Sequence, residues 1–334
     1  MIYYAAIDLH CNQCTLVMID DEDRQVMRER LPNNLEMILY QLSPYAGQLY
    51  GLAVESTFNW YWLVDGLNEA GYRVELVQTS QVKKYEGLKE QNDWTEALWL
   101  AHLLRLGILP TGYIYPRETR GLRDILRKRL RLVSQRTAHI LSLEGLYNRC
   151  CGRQISAREV RHLPEGAFGD PDWDLMASTS QRLLTGLDAE IRRLEKRADE
   201  ALASHGYYRI LQTIPGVGKI LGATISLETG DIKRFKRVGN YASYCRCVES
   251  KKTSNQKKKG EGNRKNGNSY LGLAWMEAAQ GALVWQEKAR RFYQRKKARK
   301  SVWVARKALA HKLCRAGYFM MRDQREYCSS LLFG

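Results

Sequence analysis

The stretch YYAAIDLHCNQCTLVMIDDEDRQVMRERL, Tyr3 to Leu31, decides the fold. Two apolar runs of strand length, Tyr3–Leu9 and Thr15–Ile19, flank a short polar segment, and Asp20 to Asp23 form a second turn. A weakly alternating run, Gln25 to Leu31, completes the pattern of a three-stranded meander. Moving outward, Leu35 to Leu42 repeats with helical period, and Leu49 to Val54 (LYGLAV) is a bounded apolar run that reads as a buried strand. Trp60 to Ala70 reads as a helix, Tyr72 to Val77 (YRVELV) as another strand, and NDWTEALWLAHLLRLG, from Asn92, as a final helix. Three strands followed by helix, strand, helix, strand and helix predict an α/β sheet with helices on its faces.

Two of those strands end in acids. Asp8 closes AAID, and Glu55 follows LYGLAV directly. If the two strands are neighbours, both carboxylates emerge at one edge of the sheet. Asp93 and Glu96, three residues apart on the last helix, share a helical face. Four acids converging there repel one another unless a hard cation lies between them, and Mg²⁺ takes oxygen ligands while leaving room for phosphate. Such a centre suits phosphodiester chemistry. The alternative is four unrelated surface carboxylates, since strand ends open onto solvent.

The bulk composition agrees with a polyanionic partner. The 334 residues carry 53 Lys and Arg against 36 Asp and Glu, a formal charge of +17, so nucleic acid is the first expectation. With 44% hydrophobic residues the chain has material for two domains with cores. No apolar run reaches the length of a membrane span and the N-terminus lacks an export signal, so no membrane association is expected and the chain is read as a soluble cytoplasmic protein. The eight cysteines are then expected as reduced thiols in structural roles, the Cys11-x-x-Cys14 pair having no second pair at zinc-site spacing.

Beyond Pro116 the composition shifts to long charged helices. Leu122, Ile125, Leu126, Val133 and Ile140 fall at spacings compatible with one stripe. LLTGLDAEIRRLEKRADEALA, from Leu183, repeats the pattern after a loop around Pro164 and Pro171. A helical hairpin or coiled coil follows, burying its stripes either within the chain or in a partner subunit. The expected organisation is residues 1–110 as an α/β domain, 111–204 as a helical coiled-coil linker, and 205–334 as a mainly α-helical domain.

In that last part LQTIPGVGKILGATI, Leu211 to Ile225, sets Gly216, Gly218 and Lys219 between two apolar helical runs. Glycines allow a tight turn with outward N–H groups ahead of a helix N-terminus, the helix-hairpin-helix pattern that holds a phosphate without sequence preference. A glycine-capped turn between packed helices reads the same residues more plainly. Further on, VESKKTSNQKKKGEGNRKNGNSYL, Val248 to Leu271, reads as a basic loop over Glu249 to Ser269. Lys257, Lys258, Lys259, Arg264 and Lys265 would clamp phosphate there. A serine among such cations becomes a competent nucleophile if charge and deprotonation are supplied nearby.

Taken in order, AAIDLH, VESTFNWYWLVDGL, NDWTEALWLAHLLRLG, IPGVGK and YCRCVESKKTSNQKKKGEGNRKNGNSYL followed by MEAA resemble the transposases of the insertion sequence 110/1111 family, also called bridge-RNA-guided recombinases and related to the pilin-gene invertases. The resemblance covers nearly the whole chain. It implies an RuvC-like (RNase H-like) N-terminal domain whose acids Asp8, Glu55, Asp93 and Glu96 bind Mg²⁺, a coiled-coil region, and a C-terminal domain with Ser254 as nucleophile. It further implies double-stranded DNA as substrate, a non-coding guide RNA choosing sites by base pairing, and a site shared within a dimer or tetramer. Glu96 stands where the family usually has Asp. Asn255-Gln256 follow the serine where small glycines are common, and Ser250 and Thr253 are rival hydroxyls. Two further readings are a metal-dependent nuclease using water as nucleophile, and an inactive nucleic-acid-binding remnant.

Overall fold

Strand β1 (Tyr3–Leu9), β2 (Gln13–Ile19) and β3 (Gln25–Pro32) pair antiparallel in the expected meander. On the free side of β1, β4 (Leu49–Glu55) and then β5 (Val74–Val77) add in parallel, giving one mixed sheet in the order β3-β2-β1-β4-β5. The computed structural model describes residues 1–82, 92–249, 252–254, 257–260 and 266–334, the strands at 252–254 and 257–260 through their backbone alone. The chain forms two units, Met1–Arg117 and Glu118–Gly334.

Strand alternation divides the first unit into two layers. Ala5, Ile7, Leu9, Leu16, Met18, Leu52 and Val54 point to one face, where they bury Ile38 and Leu42 of α1 (Leu35–Leu42) and Leu63 and Leu67 of α2 (Tyr61–Glu69). Ala6, Ile19, Ala53 and Val77 point to the other, toward Leu100, Ala101, Leu103 and Leu104 of α4 (Asp93–Arg105), which follows the short α3 (Thr79–Val82). The central strands β1 and β4 are thus covered on both faces, and each buried Leu, Ile or Val contributes roughly 1.5–3 kcal/mol. Ala6 and Ala53 present little side chain beneath α4, which leaves room for a helix close to the strand ends.

The second unit is mostly helical. Its α5 (Arg117–Cys151), short α6 (Ala157–Val160) and α7 (Pro171–Leu202) form an antiparallel hairpin: Arg129 meets Glu195, while Arg136 meets Asp188 further along α5. Apolar contacts follow the same order, Leu126 with Ala198 and Leu202, then Leu143 and Leu146 with Ala177 and Leu184. The stripes therefore pair within the chain, with Leu141, Leu175 and Met176 left exposed on the outside. Helix α7 starts well ahead of Leu183, because Asp170 accepts from the amides of Asp172 and Trp173, and Pro171 occupies the first helical position, where no N–H is needed.

The remaining elements are α8 (Gly206–Leu211), α9 (Lys219–Thr229), α10 (Val238–Tyr244), β6 (Lys252–Ser254), β7 (Lys257–Gly260), α11 (Ser269–Trp285), α12 (Glu287–Lys297), α13 (Val302–Asp323) and α14 (Ser329–Phe333). They surround a core centred on Trp275, Tyr241, Leu271, Leu309 and Leu313. The segment expected to be a loop contains a two-stranded antiparallel ribbon, β6 with β7. The ribbon is made by backbone pairing across a short connection, which leaves no apolar alternation to read in the sequence. All eight cysteines are free thiols. Among the described residues, no helix is long and apolar enough to cross a membrane.

Candidate active site

Sheet register builds the acidic site. Asp8 lies two residues past Ala6 and Glu55 two past Ala53, so alternation directs both carboxylates to the α4 face. The parallel strands pair Ile7 with Val54, one step before the two acids. On the other side Asp8 pairs with Thr15, and Thr15 with Arg30 of β3. A single row therefore runs Arg30, Thr15, Asp8, Glu55 across the sheet at one end of its parallel strands.

Helix α4 brings the other two acids. Asn92 caps it, accepting from the amides of Trp94 and Thr95, while the Thr95 hydroxyl accepts from the Asn92 amide. Asp93 and Glu96 occupy the first turn, where the helix dipole favours negative charge. Arg28 lies 4.3 Å over the Trp94 ring, and Arg30 lies 5.4 Å from its centroid while placing a guanidinium nitrogen 3.2 Å from Asp93 Oδ2. These contacts fix the start of the helix against β3.

His10 completes the cluster. Its Nε2 lies 3.2 Å from Asp8 Oδ2 and 3.4 Å from Asp93 Oδ2, and the ligand atoms of Asp8, His10 and Asp93 all lie within 4.8 Å of one another. The segment carrying His10 is held by two asparagine amides. Asn33 donates to the carbonyls of His10 and Cys11, and Asn59 donates to that of His10. A cavity of about 560 Å³, lined by Leu9, His10, Cys11, Asn12, Gln13, Thr57 and the exposed Phe58, opens beside it.

The electrostatics are those of too many carboxylates. Asp8 is 2% exposed, and despite the nearby imidazole its Oδ2 has no hydrogen bond. Burial pushes Glu55 up to about 8, helped by its hydrogen bond to Asp8 and by the charges of Asp8 and Glu96. Burial, then the Asp8 charge, pushes the Cys14 thiol up to about 11, which makes it an inert core thiol. A buried carboxylate oxygen lacking a hydrogen bond, amid further acids, fits a divalent cation. The carboxylates suit Mg²⁺ or Mn²⁺, and the His10 nitrogen adds a donor that Mn²⁺ accepts more readily. His10 escaped the sequence reading; its signal is the D-x-H spacing at a strand end, where alternation returns the side chain to the same side.

In the second unit Ser254 ends β6 and pairs with Lys257 of β7, Thr253 pairs with Lys258, and Lys259 lies on the same strand. Arg264 and Lys265, like Ser250, Asn255 and Gln256, lie outside the described residues. Both ends of the segment that carries the ribbon are clamped together. The Asn268 amide donates to Tyr244 O at 2.6 Å, and the Arg246 guanidinium donates to Gly267 O. Gly267 has φ +86°, and a Cβ there would lie 2.5 Å from Tyr244 O, so glycine is required.

At the glycine turn before α9 the two glycines differ. Gly216, at φ +95°, packs on α11, where a Cβ would sit 2.3 Å from the Ala282 nitrogen. Gly218 caps α9 and has open space around it. Lys219 is paired with Asp199 at 2.5 Å, and Asp199 also accepts from Tyr208. Another cavity, about 700 Å³, is lined by α12, α13 and the C-terminal residues and includes none of the candidate residues.

Two family models match the chain. One, the DEDD transposase model of IS110, covers residues 5–151, and the other, described as transposase of the IS116/IS110/IS902 family, covers residues 208–294. The chain is also 27% identical to the "Insertion element IS110 uncharacterized 43.6 kDa protein" of Streptomyces coelicolor, over 48% of this chain and 40% of that relative's length. It is 24% identical to the "Probable family 20 transposase" of Pseudomonas aeruginosa, over 67% of this chain and 68% of that one. With one model running from the acidic unit through α5 and the other over the helices and ribbon of the second unit, the chain carries both transposase domains of the IS116/IS110/IS902 family.

Proposed function

We propose that the chain cuts and rejoins DNA at the ends of an insertion element, with Ser254 as nucleophile and the acids Asp8, Glu55, Asp93 and Glu96 as its metal site. The observation that carries the reading is the buried Asp8 Oδ2 without a hydrogen bond among converging carboxylates, an arrangement that a structural role does not call for. The strand order β3-β2-β1-β4-β5, an antiparallel meander extended by two parallel strands, supports an RNase H-like (RuvC-like) assignment for the first unit.

Asp8, Asp93 and Glu55 would hold Mg²⁺, with Glu96 and His10 beside them; when bound, the ion supplies charge neutralisation at a phosphate. The chain's own groups do the rest. Ser254 Oγ forms a bond to phosphorus as the scissile P–O bond breaks. The hydroxyl proton passes to a carboxylate, the departing oxygen is protonated, and the resulting serine phosphodiester conserves the bond for rejoining. The lysines of β7, with Arg264 and Lys265, neutralise the phosphate, and the turn at Gly216, Gly218 and Lys219 acts as a helix-hairpin-helix contact to the backbone. For Lys219 this requires exchanging Asp199 for phosphate. The coiled-coil hairpin and a dimer or tetramer complete the assembly, and a guide RNA supplies sequence choice that these backbone contacts lack.

The decisive measurement is trapping. The protein is incubated with duplex DNA containing the ends of its element and Mg²⁺, and a covalent protein–DNA adduct is sought and mapped by mass spectrometry. An adduct on Ser254 that disappears in Ser254→Ala carries the reading, and one that persists in that variant overturns it. A second reading, hydrolysis by water at the acidic site alone, is favoured by the location of all four acids in one unit. It requires nicking that survives Ser254→Ala and fails in Asp8→Ala.

A further inference from the structure

Glu228, in the last turn of α9, is a carboxylate that the chemistry above does not use. It is 2% exposed, and three side chains from other elements donate to it. Arg127 Nε reaches its Oε1 at 2.6 Å. Arg123 Nε and Arg127 Nη2 each reach its Oε2 at 2.9 Å, and Asn268 Nδ2 reaches the same oxygen at 2.7 Å. Arg123 and Arg127 lie one turn apart on α5, so both face the acid. Arg127 also lies 4.4 Å over the ring of Tyr270, at the start of α11. A cavity of about 90 Å³, lined by residues of α5, α9 and α11, borders the cluster.

Asn268 is where the network acquires meaning. It is the N-cap of α11, its Oδ1 accepting from the amides of Tyr270 and Leu271. Its own amide closes the clamp onto Tyr244. The residue thus ends the ribbon segment through its main-chain N–H, while its side chain starts the next helix and donates to Glu228. A carboxylate this buried is tolerated only when its acceptor sites are filled, so its geometry is rigid, and an amide bonded to it inherits that rigidity.

We propose that Glu228 is a positioning residue that anchors, through Asn268, the base of the β6–β7 ribbon bearing Ser254 to the long helix α5. The structural part stands on the hydrogen bonds alone; its catalytic meaning rests on the serine reading above. Helix α5 then sets the frame in which the ribbon sits, and a disturbance of the helical hairpin reaches the serine through a single carboxylate.

The test uses the full chain without DNA first. Amide hydrogen exchange is compared in wild type, Glu228→Gln and Asn268→Ser, the serine keeping a helix-capping oxygen but having no amide that reaches Glu228. Exchange of the β6, β7 and Tyr270–Leu271 amides is expected to rise about tenfold or more in both variants, with α13 unchanged in Asn268→Ser, the effect of losing a charge-assisted hydrogen bond locally. Unchanged exchange at the ribbon in either variant, or in Asn268→Ser an equal rise throughout the second unit, overturns the proposal. Should Glu228→Gln fail to fold, Asn268→Ser decides, because it leaves both arginine pairs intact. With element-end DNA, both variants are expected to slow adduct formation at saturating DNA about tenfold while the half-saturating concentration moves less than about twofold. A shift in half-saturation alone overturns the positioning role. If wild type forms no adduct, the serine reading fails, and the exchange result still decides whether Glu228 holds the ribbon.

Discussion

Asp8 and Glu228 are buried to the same degree, each 2% exposed, yet their surroundings are opposite. Glu228 accepts hydrogen bonds from two arginines and an asparagine, which together hold its pKa below the usual carboxylate value against the cost of burial. Asp8 faces other acids, leaves Oδ2 without a hydrogen bond, and contributes to pushing Glu55 up to about 8. One site is complete within the protein, and the other is shaped for a charge the protein does not itself supply. The contrast separates an acid whose charge is answered inside the protein from acids whose charge is not, where burial alone does not.

The largest effect that sharpens this contrast is on activity. Asp8→Asn is expected to reduce DNA strand cleavage about 10³-fold or more, while the melting temperature of the metal-free protein stays the same or rises because a like charge has been removed. Cleavage time courses and calorimetry in EDTA measure both; an Asp8→Asn protein that unfolds would break the comparison. Next, Glu228→Gln is expected to cost the second unit about 3 kcal/mol in urea unfolding, since two buried arginines lose their counter-charge. Because the folded pKa of Glu228 is lowered, its stabilisation is present above the unfolded value of 4.5 and is lost as pH falls through the folded one.

The pH response of the acidic site runs the other way. Glu55 ionises at 4.5 when unfolded and about 8 when folded, so the metal-free first unit loses stability as pH rises through that window. A cation must displace the Glu55 proton, so Mg²⁺ affinity by titration calorimetry is expected to rise about tenfold from roughly pH 6.5 to 7.5 and to level off above the folded pKa. Glu55→Gln should abolish the slope. The smallest effect concerns Arg30, half-exposed and paired with Asp93. Arg30→Gln is expected to change Mg²⁺ affinity by about twofold, as exposed ion pairs are weak. A tenfold change would make Arg30 part of the site.

The two regions differed in legibility for the same physical reason. The strands of the first unit announce themselves by apolar runs, and once β1 and β4 are read as neighbours, the meeting of Asp8 and Glu55 follows from alternation alone. Asp93 and Glu96 follow from helical spacing. His10 was overlooked because a lone histidine after a strand carries no periodic signal, and Asn33 and Asn59 because side chain to backbone hydrogen bonds have none either. The Glu228 network joins residues about a hundred positions apart on α5 and α9, and nothing local in SLETGDI distinguishes it from a surface acid. The ribbon of β6 and β7 was hidden for the opposite reason, being polar throughout.

The row Arg30, Thr15, Asp8, Glu55 has a consequence for how such a chain tolerates insertions and deletions. Side chains alternate between faces, so adding or removing one residue within β1 places Ile7 or Leu9 where Asp8 stands and turns the acid into the α1 and α2 core. Gradual drift of the acidic edge is thereby forbidden. Length changes in this unit are confined to the connections between strands, where they alter what surrounds the acids without moving them.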